Sequence, residues 1–216
     1  MQDSILIKAP AKINLFLRIL DQKEDGYHNI RTGVTFLDLY DEIKISFSNK
    51  NNLLYSGPFK PTTEKFDNDI IIKLLNHITL KKKKKINIKI KKNIPYQAGL
   101  GSASTNVAAL IKGFQILDLI NEIDKDFLVQ LGSDVPVCYY GKNCLATGIG
   151  DKINKSINFP KYYFILVKPK VQILTKEMYK KIKKYNIFDK NYFNQTLGLK
   201  TLHEEDSGND FERIAR

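Results

Sequence analysis

The stretch Pro95-Tyr96-Gln97-Ala98-Gly99-Leu100-Gly101-Ser102-Ala103-Ser104-Thr105-Asn106 holds residue types that can work on a phosphate. Glycines and small hydroxyl residues let backbone N–H groups come close to an anion. A helix starting here would aim its positive end at the same point. That build suggests a nucleoside triphosphate site. It is not a Walker A loop, which ends in Gly-Lys-Ser/Thr, because no lysine occurs between Pro95 and Ile111. Nor is it a dinucleotide fingerprint: Gly99-x-Gly101 is present, but Ser104 stands where the third glycine belongs. Two glycines in a turn are also plain turn chemistry, so the loop alone leaves both readings open.

The elements around the loop suit the first reading. Ile86-Asn87-Ile88-Lys89-Ile90 alternates apolar and polar and predicts a half-buried strand. Val107 to Leu117 predicts a helix, with Ser104, Thr105 and Asn106 as candidate N-caps. Upstream, Ile5 to Lys8 and Ile13 to Leu20 read as strands around an Ala9-Pro10-Ala11 turn. Val34 to Leu37 and Glu42 to Ser48 read as further strands, with Asp38 to Asp41 between them. Asn49 to Thr63 is polar and turn-rich, and Asp69 to Thr79 predicts a helix. After the loop helix come a short helix near Lys125 to Leu131 and strands near Val135 to Tyr139 and Cys144 to Thr147. Together these make an α+β unit. Tyr162 to Lys168 reads as a strand and Thr175 to Tyr185 as a helix.

Ala9-Pro10-Ala11-Lys12-Ile13-Asn14-Leu15-Phe16-Leu17 resembles the opening motif of the GHMP small-molecule kinases. Asp25-Gly26-Tyr27-His28 narrows the resemblance, within that superfamily, to the kinases of 4-diphosphocytidyl-2-C-methyl-D-erythritol in the non-mevalonate isoprenoid pathway. Phe66-Asp67-Asn68, Leu131-Gly132-Ser133-Asp134-Val135-Pro136-Val137, Ala146-Thr147-Gly148-Ile149-Gly150-Asp151 and Ser207-Gly208-Asn209-Asp210-Phe211-Glu212 follow in the family's order. The resemblance implies a GHMP kinase two-domain fold of the α+β class. A ribosomal protein S5 domain 2-like N-terminal domain would span residues 1–155, and a partial C-terminal domain residues 156–216. Two departures stand out. Gln97, Ala98, Ser102 and Ala103 occupy positions where the family is rich in glycine, and a Cβ tolerates a left-handed turn poorly. The family's further Gly-Ser/Thr-Gly motif is absent, so the family pattern is expected to continue past Arg216.

The resemblance also implies roles. The γ-phosphoryl group of ATP would pass to the 2-hydroxyl of 4-diphosphocytidyl-2-C-methyl-D-erythritol, with Mg²⁺ bridging phosphate oxygens. Backbone groups of Pro95, Gln97, Ala98, Gly99, Leu100, Gly101, Ser102, Ala103, Ser104 and Thr105 would hold the phosphates. Ser104 or Thr105 would approach the metal. Asp134 is the implied base, although an aspartate between Gly132 and Pro136 reads as readily as a turn or cap residue. Lys12 is its implied partner, placed to stabilise an emerging alkoxide. Asn14, Tyr27 and His28 would bind the substrate, the aromatic ring stacking on cytosine and the imidazole bonding its edge. Tyr179 would be a second aromatic against that base. Asn68 would contact the nucleoside of ATP, though Asp67-Asn68-Asp69 is also an ordinary N-cap. Another alcohol substrate stays open, as does a shortened member that binds nucleotide without turnover, and a homodimer.

Composition limits other classes. The formal net charge of +12 comes mainly from lysine, concentrated at Lys81 to Lys85, Lys89, Lys91, Lys92 and residues 176–184. No aromatic residues interleave with the Lys81 to Lys85 run to stack on bases, so it reads as a solvated connection. The charge would still draw in polyanionic substrates. Cys138 and Cys144 fit no zinc spacing and read as reduced core thiols. No apolar run is long enough to span a bilayer, and the start shows no secretion signal. The expectation is a cytoplasmic enzyme with no specific nucleic-acid partner.

Overall fold

The structure is a computed structural model. It describes residues 3–62, 69–81, 84–155, 159, 162–168, 175–182 and 208–212. The chain falls into two compact units: residues 1–12, 36–96 and 100–141 form the first, and residues 13–35, 97–99 and 142–216 the second. Two long strands, β1 (Ser4–Gln22) and β2 (His28–Ser48), pass from one unit into the other.

In the first unit, β4 (Lys85–Lys91) pairs antiparallel with β2, from Glu42 opposite Lys91 to Ser48 opposite Lys85. β3 (Asn52–Ser56) pairs parallel with β4. Ile86, Ile88 and Ile90 turn inward while Lys85, Lys89 and Lys91 face out, as period-two alternation requires. Four helices bury their apolar residues in the same core: α1 (Ile70–His77), α2 (Ser102–Ile116), α3 (Lys125–Leu131) and α4 (Val135–Tyr140). Leu110, Ile111 and Phe114 of α2 meet Ile43, Ile45, Ile88 and Ile90 there, all almost fully buried. Asp69 caps α1, its carboxylate accepting from the Ile71 N–H at 2.8 Å.

In the second unit, β5 (Cys144–Gly148) pairs antiparallel with β2 from Ile30 to Val34, and β6 (Lys152–Asn154) pairs with β5. β7 (Gly208–Asn209) lies parallel to β1 at Phe16 and Leu17. Leu17, Ile19 and Ile30 form a small cluster with Tyr179 of α5 (Thr175–Lys180), Ile182 and Phe211.

Several expectations change. Pro10 does not break β1, because its fixed φ suits extended backbone and it removes only one ladder donor. Asp38 to Asp41 does not interrupt β2. Val135 to Tyr139 is helical rather than extended. A short apolar run is ambiguous in sequence, and Pro136 is tolerated in a first helical turn, where its N–H has no intrahelical partner. Asn49 to Thr63 contains β3. Tyr162 to Lys168 is neither helix nor strand, since β-propensity describes a residue's fit to a sheet and does not supply the neighbouring strand. Cys138 and Cys144 are both buried, and burial pushes the Cys144 thiol up to about 11. Among the described residues no helix is long and apolar enough to cross a membrane.

Candidate active site

In the first unit, Lys12 and Asp134 are brought together. Lys12 Nζ lies 3.0 Å from Asp134 Oδ2, with the lysine side chain buried and the aspartate side chain 44% exposed. Asp134 precedes α4 but makes no side-chain cap hydrogen bond. Its backbone is right-handed helical (φ −83°, ψ −13°), whereas capping side chains usually rise from extended backbone. The carboxylate is therefore directed at Lys12 rather than at its own helix.

Lys12 is also fastened to the glycine loop. Its N–H donates to the Leu100 carbonyl at 2.9 Å. Its aliphatic stem fills the space beside Gly101, where an added Cβ would come within 2.6 Å of Lys12 Cγ. Gly101, left-handed at φ 64°, is the residue before α2 and offers no side-chain cap. The expected caps Ser104, Thr105 and Asn106 instead lie inside the helix, and the Thr105 hydroxyl donates back to the Ser102 carbonyl at 3.1 Å. Of Gln97, Ala98, Ser102 and Ala103, the residues that stand where the family is rich in glycine, only Gln97 takes a left-handed φ (53°), and Gly99 (71°) and Gly101 (64°) follow at every second position. Pro95 and Ser104 are half-buried, and Ala103 is exposed.

The second unit holds the other candidates. Asp25 anchors the turn between β1 and β2: its carboxylate accepts from the Tyr27 N–H at 3.0 Å and from Lys23 Nζ at 2.9 Å. Those bonds, the Lys23 one foremost, hold the Asp25 carboxyl below its ordinary value. His28 stacks on Tyr179 with ring centroids 4.9 Å apart and planes 25° apart, and Phe211 meets Tyr179 edge-on. Burial lowers the His28 imidazole below its ordinary value, with the Asp21 charge opposing. Tyr27 is 56% exposed. The Asn14 amide donates to the Thr32 hydroxyl at 2.7 Å, and that hydroxyl donates to the Phe16 carbonyl at 2.6 Å. Asn68 lies outside the described residues.

One cluster escaped the sequence reading. Asp41, fully buried on β2, accepts at Oδ2 from Lys92 Nζ and from the Ser102 hydroxyl (2.8 Å). Its Oδ1 accepts from the N–H groups of Asn93 (2.7 Å) and Ile94 (2.9 Å). Lys92 Nζ also donates to Ser102 Oγ. Lys92 is only 6% exposed. Burial lowers its ammonium below the usual lysine value, and Asp41 opposes that shift. The signal was available. Ile43 and Ile45 on β2, and Ile86, Ile88 and Ile90 on β4, set inward faces that period-two spacing extends to Asp41 and Lys92. The register that places Glu42 opposite Lys91 places those two opposite each other.

Mg²⁺ is implied by phosphoryl transfer. Among the described residues no group of three or more His, Cys, Asp or Glu could hold a metal.

Residues 69–151 match the family of the GHMP kinases N terminal domain. The chain is 37% identical over 211 residues to a 4-diphosphocytidyl-2-C-methyl-D-erythritol kinase of Francisella philomiragia, covering 94% of this chain and 74% of that one. It is 37% identical over 184 residues to the kinase of the same name from Clostridium tetani, covering 84% and 66%. Against several Francisella tularensis relatives it spans 62% of their length. A crystal structure of 4-(cytidine 5'-diphospho)-2C-methyl-D-erythritol kinase superposes with a TM-score of 0.69 at 26% identity, over 98% of this chain and 77% of that one. Identity at this level, over this much of both chains, is common descent, and the chain belongs to the 4-diphosphocytidyl-2-C-methyl-D-erythritol kinase family within the GHMP kinases.

Proposed function

We propose that this chain transfers the γ-phosphoryl group of ATP to the 2-hydroxyl of 4-diphosphocytidyl-2-C-methyl-D-erythritol, in the cytoplasm. The observation that carries the reading is the Lys12–Asp134 pair, fastened to the glycine turn through Leu100 and Gly101. Phosphoryl transfer asks a protein mainly for positioning and charge stabilisation. Backbone N–H groups of the loop and of the first turn of α2, which have no intrahelical acceptors, are suited to hold the phosphates. Asp134 takes the hydroxyl proton as the new P–O bond forms. The bond between the γ-phosphorus and the β–γ bridging oxygen breaks, and ADP leaves with that electron pair. The Lys12 ammonium neutralises charge on the attacking oxygen. Bound Mg²⁺ supplies charge neutralisation at the phosphates. The Tyr179–His28 stack and Tyr27 offer aromatic surface and a ring nitrogen for cytosine, and Asn14, its amide orientation set by Thr32, meets the alcohol.

The test is ADP release from ATP and Mg²⁺, with and without the cytidyl alcohol, in the wild type and in Asp134→Asn. Release should depend on the alcohol and fall about 10²- to 10⁴-fold in the variant, the usual contribution of general-base catalysis. Release that ignores the alcohol, or that survives in Asp134→Asn, would overturn the reading.

A further inference from the structure

The Asp41 cluster joins two points that the chain separates by the whole glycine loop. Asn93 and Ile94 enter the loop, and Ser102 leaves it as the first residue of α2. One buried carboxylate holds both: Oδ1 takes the two entering N–H groups and Oδ2 takes the Ser102 hydroxyl. Lys92 supplies the countercharge and a second bond to Ser102 Oγ, so the hydroxyl donates to a carboxylate and accepts from an ammonium. Lys92 is itself fixed by its main chain, its N–H donating to Ser56 O at 2.8 Å and its carbonyl accepting from the Phe59 N–H at 3.2 Å. Bonds to ionised partners are shorter and stronger than neutral ones, and burial of Asp41 and Lys92 shields them from competing water.

We infer that Ser102 is a positioning residue, a side-chain latch through which Asp41 and Lys92 hold the phosphate loop closed on itself and its N–H groups aimed for ATP. The inference rests on the kinase reading for its functional half. A glycine at this position would leave the loop's exit free, whereas serine ties it to a fixed charge pair. The latch therefore offsets, by hydrogen bonding, the sparse glycine content of this loop.

The experiment compares wild type, Ser102→Ala and Ser102→Thr. The readouts are ATP and alcohol kinetics, thermal melting, and amide hydrogen exchange of peptides covering residues 95–101. Ser102→Ala should raise the KM for ATP about tenfold, the scale of one lost hydrogen bond to a charged group, with the loss falling on ATP rather than on kcat or the alcohol. Exchange across 95–101 should quicken while the core of α2 stays protected, and Ser102→Thr, which keeps the hydroxyl, should recover most of both. Unchanged exchange and unchanged KM for ATP, in an enzyme that turns over, would overturn the latch and leave the kinase reading standing. A fall in melting temperature with equal losses for both substrates would also overturn it, marking a structural role. A wild type without alcohol-dependent turnover would overturn the kinase reading instead, and faster exchange in Ser102→Ala would still support the latch as the device that orders the loop.

Discussion

Lys12 and Asp134 make a poor stabilising pair, whatever they do for the proposed phosphoryl transfer. With the aspartate half-exposed, water screens the attraction, and such pairs typically contribute less than about 1 kcal/mol to stability. The Asp41–Lys92 pair is the opposite case. Both partners are buried, so removing either would strand a charge in the interior, a loss typically of about 3–5 kcal/mol. His28 carries a pH prediction. Burial favours its neutral form, so its folded-state value lies below 6.5 and the unfolded chain binds the proton more readily. Above about 6.5 both states are neutral and nothing is lost. As pH falls through that value toward the folded one, stability is lost, by the linkage between proton binding and folding. Melting temperature should therefore fall between pH 7 and pH 5 by more in the wild type than in His28→Gln. Equal falls would show that His28 is not one of the groups responsible.

The join between the loop and α2 depends on backbone handedness. Gly101→Ala meets two penalties, a left-handed φ and the stem of Lys12 at 2.6 Å, while Gly99→Ala meets only the first, with nothing within 4 Å of its Cβ. Denaturant unfolding should show Gly99→Ala costing about 1 kcal/mol and Gly101→Ala clearly more. Equal costs would mean that the lysine stem yields freely. The loop itself, β4, α1, α3 and β5 were legible from alternation, capping and turn residues. The unbroken course of β1 and β2 was not, because Ala9-Pro10-Ala11 and Asp38 to Asp41 carry local turn signals that pairing with neighbouring strands overrides. Helix α4 was hidden by its valines and tyrosines, which favour strands in isolation. The roles proposed for Lys12 and Asp134 rest on resemblance, since neither position carries a physical signal of its own. Asp41 and Lys92 do carry one, in the phase of the alternation.

At the scale of the whole chain, neither compact unit is a continuous stretch, so no single cut separates them. The net charge of +12 acts over longer distances than any contact. It should speed the encounter with ATP and with a diphosphate-bearing alcohol, and salt should screen it. Raising ionic strength should lower kcat/KM for both substrates while leaving kcat near its low-salt value; kcat/KM indifferent to salt would show that the charge does not steer them. The packing of Lys12 against Gly101 also sets an order on inheritance. A lineage released from selection for turnover could shed the lysine first, after which a side chain at 101 would face only its left-handed backbone. Shedding the glycine first meets the lysine's own carbon chain. In silent descendants of this enzyme, a glycine outlasting its lysine should be common, and a lysine outlasting its glycine rare.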